Sequence, residues 1–341
     1  MGGAQSLAGD NMRKSTQILI GNGLDEFADL VKKYHGAGKI VVISDEQELA
    51  LDFAKKMGVC YSISIYRATQ EFTLDESVRF VVGIGDVTVI NAVKSKILPT
   101  SKFAFFAQNY DYRFLYDFDG KLRFPEFVYF DENLIKKDNV KFLARTYVST
   151  FELYTECAMY LMHVSFFPYT DNKLKGVVDA VKKLLLGYTE KEEYYKEVFR
   201  LNIKMIDALN ERNVKSLVTD KCASIYGRTV GERFLITYFI NIFITNFTKR
   251  RFRDILIPSR APVSNQPCAQ NVYVDKSALM TEEEVRVVCN KIKFLVSLPS
   301  LDVDFALGAL INAVDGDCPL LAIIKNKGIM EELAYERLKQ G

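Results

Sequence analysis

The chain is poor in histidine: among 341 residues only His35 and His163 carry an imidazole. His35 precedes Gly36 at the end of an amphipathic segment, where the negative end of a helix dipole favours a surface histidine. His163 follows a second amphipathic run and has no histidine three or four residues away, so it reads as a structural residue rather than half of a ligand pair. Serine and cysteine residues lack a histidine in any recognisable motif, which argues against Ser/His or Cys/His nucleophilic catalysis.

Charge of one sign is also scarce. Lysine plus arginine number 45 against 43 aspartate plus glutamate, and a formal charge of +2 gives no global field toward nucleic acid or an anionic membrane. No C-x-x-C pair occurs, and the six cysteines (Cys60, Cys157, Cys222, Cys268, Cys289, Cys318) are widely spaced. They read as reduced, mostly buried thiols of a cytoplasmic protein. The longest apolar run, Phe234 to Phe247, is too short for a hydrocarbon layer of about 30 Å and reads as a buried core helix. Residues 1–14 lack an apolar stretch and any periodicity, the pattern of a disordered start or a cloning remnant.

What is present is enough apolar sequence, 49%, to build two cores. From Gln17 onward, short β-branched runs alternate with amphipathic segments, the sequence form of βαβ units and a parallel sheet. Strands are expected at Gln17–Ile20, Lys39–Ile43, Cys60–Tyr66, Phe80–Gly83, Phe103–Phe106 and Phe127–Phe130. Leu24, Phe27, Ala28, Leu30 and Val31 recur at helical spacing before Gly36, a left-handed cap, and a second helix is expected over Glu46–Met57. After Asp131 the periodicity is helical almost throughout, including Asn133–Phe167. Ile257–Val274, with Pro258, Pro262 and Pro267, is the exception and reads as a long loop. The expected organisation is an α/β N-terminal domain over residues 15–138, a Rossmann-like parallel sheet, followed by an all-α C-terminal domain over residues 139–341.

The segment Phe80–Lys94, FVVGIGDVTVINAVK, joins a buried strand to a helix through Gly83-Ile84-Gly85. Such joints hold phosphate because the first helical amides are unpaired and the dipole is positive there. The segment resembles the V-x-G-x-G-G-G-x-x-x-D-x-A-K stretch of the glycerol dehydrogenases and glycerol-1-phosphate dehydrogenases, with Gly83, Gly85, Ala92 or Val93, and Lys94 in register. Asp45 after the second strand, the Pro99-Thr100 turn, Tyr116–Gly120 followed by Phe127–Asp131, and Asp302–Ile324 extend the resemblance over most of the chain. It implies the dehydroquinate synthase-like fold, shared with the iron-containing alcohol dehydrogenases. It also implies an NAD(P) site at Asp45, Gly83, Gly85, Asp86, Lys94 and Thr100, and one Zn²⁺ or Fe²⁺ held by a carboxylate and two histidines.

The sequence departs from that pattern at each functional point. Where the family has three glycines, this chain has Gly85, Asp86 and Val87. Asp86 can cap the helix with the carboxylate that would repel a phosphate, so the turn reads either as a capped helix without a pyrophosphate or as an altered nucleotide site. The family's next aspartate is Asn91 here, and its substrate-orienting polar residues fall near Phe103 and Phe105. Val140–Glu156 resembles the segment carrying the ligand aspartate, with Ser149 or a neighbour in its place and Glu152 and Glu156 the carboxylates nearby. Tyr226–Phe234, YGRTVGERF, resembles the next ligand segment, with Arg233 at the histidine; laid on the dehydroquinate synthase pattern, it puts Arg228 and Glu232 at the histidine positions. The last ligand should fall near Ile244–Lys249, where no histidine occurs. Since arginine stays protonated and cannot ligate a cation, no zinc or iron is expected.

Arg228 or Arg233 could instead pair with Glu152, Glu156 or Glu232 and so hold the two domains together, or bind a carboxylate or phosphate in bidentate fashion. The basic run Lys249–Arg253 reads as a solvated helix end or as a contact for an anion. Two functional readings follow. The first is a homologue of the polyol and polyol-phosphate dehydrogenases that no longer transfers hydride and binds a small phosphorylated ligand, a nucleotide or a partner in the cleft between domains. The second is an active NAD(P)-dependent oxidoreductase or sugar-phosphate enzyme with a rebuilt, metal-independent site. In the second, an arginine is the electrophile and Glu232 or Tyr226 carries the proton. Neither nucleic acid nor membrane is an expected partner; an exposed edge strand and the resemblance point to a homodimer.

Overall fold

The computed structural model describes residues 16–36, 38–98, 100–114, 124–131, 133, 140–165, 171–187, 192–212, 214, 216–227, 229–250, 271–274 and 279–314. The chain divides into two compact units: residues 1–108, 113–117 and 122–132 in the first, and residues 109–112, 118–121 and 133–341 in the second.

In the first unit all six expected strands form, as β1 (Gln17–Gly21), β2 (Gly38–Ser44), β3 (Tyr61–Tyr66), β4 (Phe80–Gly85), β5 (Lys102–Ala107) and β6 (Phe127–Asp131). They make one parallel sheet in the order β1-β6-β5-β4-β2-β3. Helices α1 (Gly23–His35), α2 (Gln47–Met57) and α3 (Val87–Lys96) connect them. Because side chains alternate across a strand, Ile40, Val42, Phe80, Val82, Ile84, Ala104, Phe106, Phe127 and Tyr129 share one face. There they pack with Phe27 and Val31 of α1 and Phe53 of α2. Gly36 ends α1 with φ +73° and ψ −143°; the positive φ is as expected, but ψ lies outside the left-handed helical basin.

His35 does not have the surface role expected of it. Its ring lies 5.3 Å from that of Phe80, its Nε2 is buried without a hydrogen bond, and burial followed by the charge of Lys102 holds its pKa below the usual value. Desolvation outweighs the dipole at this position.

The second unit contains α4 (Val140–Tyr160), α5 (Asn172–Leu186), α6 (Glu192–Glu211), α7 (Val218–Tyr226), α8 (Val230–Arg250), α9 (Glu282–Lys293) and α10 (Val303–Ala313). It is not all-α. Met162–Ser165 forms β7, which pairs antiparallel with β8, Asn271–Val274, so His163 lies on a strand and the expected long loop ends in one. Four residues are too few for local periodicity to separate helix from strand, and the partner of β7 is supplied from far downstream. The expected core helix is α8, buried from Phe234 to Ile244 apart from the half-buried Tyr238. No helix of the described residues is long and apolar enough to cross a membrane. Of the four cysteines described, Cys157 and Cys222 are buried, whereas Cys289 is half-buried and Cys60 exposed, so the thiols are less uniformly buried than expected.

Helix α4 is buried along most of its length. Its threonines meet their hydrogen-bonding needs internally: the hydroxyls of Thr146, Thr150 and Thr155 donate to the carbonyls of Phe142, Thr146 and Phe151, four residues back, at 2.7–2.8 Å. Residues 145, 149, 152 and 156 fall on one side of the helix at spacings of four, three and four, giving a polar stripe of Arg145, Ser149, Glu152 and Glu156.

Candidate functional site

In the first unit the strand order reverses between β2 and β4, and in parallel sheets ligands bind outside the carboxyl ends of the strands at such a point. The chain places Asp45 after β2 and Asp86 after β4. Asp45 Oδ1 accepts a hydrogen bond from the Ala68 amide at 3.1 Å, which ties the end of β2 to the turn after β3. Asp86 is the N-cap of α3, its Oδ1 accepting from the Thr88 amide at 3.0 Å. A phosphate at the start of α3 would meet the Asp86 carboxylate, and one helical amide is already engaged.

The two glycines of the turn have local packing reasons. A Cβ on Gly83 would lie 2.5 Å from the Phe105 ring, its partner in the β4–β5 register. Gly85 has φ +145°, and a Cβ there would lie 2.8 Å from Val89 Cγ2. Phe105 is buried against Phe103 and Phe114. Lys94 donates to the Arg113 carbonyl at 2.6 Å. Thr100 is exposed in the turn before β5.

A cluster of charged groups in the second unit is built around Arg233, in the first turn of α8. Its Nε and Nη2 donate to Glu152 Oε1 and Oε2 at 2.8 and 2.9 Å, the bidentate geometry that a planar guanidinium offers a carboxylate. Nη2 also reaches Asp220 Oδ1 at 2.9 Å and the Tyr112 hydroxyl at 3.2 Å, and that hydroxyl donates to Asp220 at 3.1 Å. The side chain of Glu152 is 0% exposed and that of Arg233 17%. Burial raises the pKa of Glu152, with the charge and hydrogen bonds of Arg233 opposing it. For Arg233, burial acts to lower the pKa, but the surrounding negative groups, Glu152 foremost, carry it well above the ordinary value. The two-point contact has the geometry of a guanidinium–carboxylate pair.

Glu156, one turn beyond Glu152, serves a different element. Helix α7 begins after Leu217, which offers no side-chain cap, and the Glu156 carboxylate takes that place. It accepts from the amides of Val218 and Thr219 and from the Thr219 hydroxyl, each at 3.1 Å. Burial nevertheless pushes its pKa up to about 7.

Of the residues singled out in the sequence, Arg233 and Glu152 come together. Glu156 does not join them, and neither does Glu232. The Glu232 carboxylate accepts from the Thr229 amide and hydroxyl at 2.9 Å while its own amide donates to Thr229 Oγ1 at 3.2 Å, a capping box that starts α8. The Tyr226 hydroxyl accepts from the Asp302 amide at 3.0 Å. Arg228 lies outside the described residues, as do the side chains of Lys249–Arg253, the side chain of His163 and the segment Tyr116–Gly120. The expectation that the arginine pair bridges the two domains is corrected: Glu152, Asp220 and Tyr112 all belong to the same unit as Arg233. Asp220 and Tyr112 were not foreseen, since each lies in an unremarkable local pattern and reaches the guanidinium only through helix packing.

These donors do not suit a divalent cation. Two carboxylates converge on a guanidinium that presents only N–H groups, and among the described residues no group of three His, Cys, Asp or Glu side chains is arranged to hold a metal ion.

No family profile matches the chain, and no curated protein is similar to it in sequence. Solved structures are similar in fold. A 1,3-propanediol oxidoreductase is 11% identical with a TM-score of 0.53, the match covering 94% of this chain and 97% of that one. An iron-containing alcohol dehydrogenase from Corynebacterium glutamicum is 12% identical with a TM-score of 0.52 over 89% and 90%. A probable glycerol dehydrogenase from Sinorhizobium meliloti is 11% identical with a TM-score of 0.53 over 90% and 91%. The chain has the fold of the iron-containing alcohol dehydrogenases. At this identity the likeness is one of fold, and the role of each side chain has to be read from its own surroundings.

Proposed function

We propose that this chain uses the dehydrogenase fold as a metal-free binding scaffold for a small phosphorylated molecule and does not transfer hydride. The observation that carries the reading is the Arg233 centre: the guanidinium is held by Glu152 through two hydrogen bonds and by Asp220, an ion pair in place of a donor set for a cation. The turn at Asp86, capped by its own carboxylate, supports it from the other unit. An oxidoreductase rebuilt around arginine is less well supported, because its proton carriers are engaged elsewhere: Glu232 in a capping box and Tyr226 with the Asp302 amide.

Purified full-length protein should contain no stoichiometric zinc or iron by elemental analysis. It should form no NADH or NADPH from glycerol or glycerol 1-phosphate, with or without added metal. Calorimetric titration should show saturable heat with glycerol 1-phosphate. Stoichiometric metal or cofactor-dependent turnover would sink the proposal.

A further inference from the structure

The polar stripe of α4 has two halves. Glu152 and Glu156 are matched by Arg233 and by the start of α7. The earlier half offers two cations and a hydroxyl and no carboxylate: Lys141, Arg145 and Ser149, each four residues from the next and therefore on the same side of the helix. Arg145 is half-buried, and its Nε is out of solvent with no acceptor. No carboxylate lies within one turn of it on α4; the nearest along the stripe, Glu152, is taken by Arg233. Ser149 is 7% exposed, and unlike Thr146, Thr150 and Thr155 its hydroxyl makes no hydrogen bond within the helix.

A charged side chain with one N–H shut off from solvent and given no acceptor is costly, more so than a neutral one, and such groups are rare in folded proteins without a bound partner. The chemistry missing from this face is an oxyanion. A guanidinium supplies two parallel N–H donors to a phosphoryl or carboxylate group, the serine hydroxyl adds a third donor one turn away, and exposed Lys141 adds a second positive charge.

We infer that Arg145 and Ser149 form a binding subsite for the oxyanion of a small molecule. The inference deepens the binding role proposed above by assigning it residues, and its ligand is a phosphate monoester or a carboxylate. The test is calorimetric titration of full-length protein with inorganic phosphate, glycerol 1-phosphate and, in a separate arm, malonate, on wild type, Arg145→Gln, Arg145→Lys and Ser149→Ala. Melting temperatures without ligand verify that each variant folds.

Arg145→Gln should weaken the bound anion about a hundredfold, and Ser149→Ala about tenfold, the loss expected for hydrogen bonds to a charged group. Arg145→Lys keeps the charge but not the fork and should fall between wild type and Arg145→Gln. A response to the phosphates alone identifies a phosphoryl ligand, and a response to malonate alone a carboxylate. Equal affinity in wild type and Arg145→Gln, or saturable binding of none of the three probes by wild type, would overturn the inference. Hydride transfer by a wild-type protein whose anion binding still depends on Arg145 would overturn the proposed function and leave the subsite standing.

Discussion

Arg233 shows how one side chain sets the chemistry a helix offers. A guanidinium held by a carboxylate with no exposure, Glu152, is stable only while both partners are present, because either charge left alone in the interior is poorly solvated. Arg233→Met should therefore destabilise the protein by about 3–5 kcal/mol in urea unfolding at neutral pH. The double variant Arg233→Met, Glu152→Gln should recover part of that loss by removing the stranded carboxylate. A single variant as stable as wild type would show that the pair contributes nothing to the fold. Gly83 is a second position where one side chain decides the outcome. Its Cβ would meet the Phe105 ring at 2.5 Å in the packed centre of the sheet, so Gly83→Ala should cost about 1–3 kcal/mol through overpacking. Trimming the ring with Phe105→Leu in the same chain should return some of it, which thermal melts of the single and double variants would reveal.

Helix α4 is the element on which most of the unit's polar chemistry rests. Its threonines are satisfied within the helix, while Glu152 and Glu156 reach into two neighbours. The second contact makes α7 depend on a distant carboxylate for its N-terminal amides, and it predicts a pH response. Burial lifts Glu156 to about 7 from an ordinary value of 4.5. Between those two pH values the native state keeps a proton that the unfolded chain has released, so this group's contribution to stability falls as pH rises from 4.5 to 7 and is level above. The drop is about 3 kcal/mol. Glu156→Gln cannot ionise, so its stability relative to wild type should improve by that order across the same window. Parallel pH profiles of the two proteins, from urea midpoints, would contradict this assignment. The start of α8 is a more local matter: Thr229 and Glu232 form its capping box, and the T-x-x-E spacing that announces such a box was present in the sequence.

At the scale of the whole molecule, a fold shared with iron-containing dehydrogenases is joined to a centre whose donors do not suit a metal. Dialysis against a chelator should leave the melting temperature unchanged, and added Zn²⁺ or Fe²⁺ should not raise it; a saturable rise would reveal a native-state metal site. The sequence by itself determined the six strands of the parallel sheet, because short runs of β-branched and aromatic residues separated by turns and amphipathic segments leave few other conformations. It also pointed to the capped turn at Asp86 and to the scarcity of imidazoles, since both are matters of residue type. Only the tertiary structure decided what those residues touch. Asp220 and Tyr112 meet Arg233 through helix packing, β7 finds its partner in β8 far along the chain, and His35 turns toward Phe80 rather than solvent. Local patterns record the preferences of neighbours in sequence, whereas burial and pairing are settled by residues distant in the chain. That is why an arginine rather than a histidine at position 233 was legible in the residues, and its ion pair with Glu152 became definite only in the folded helices.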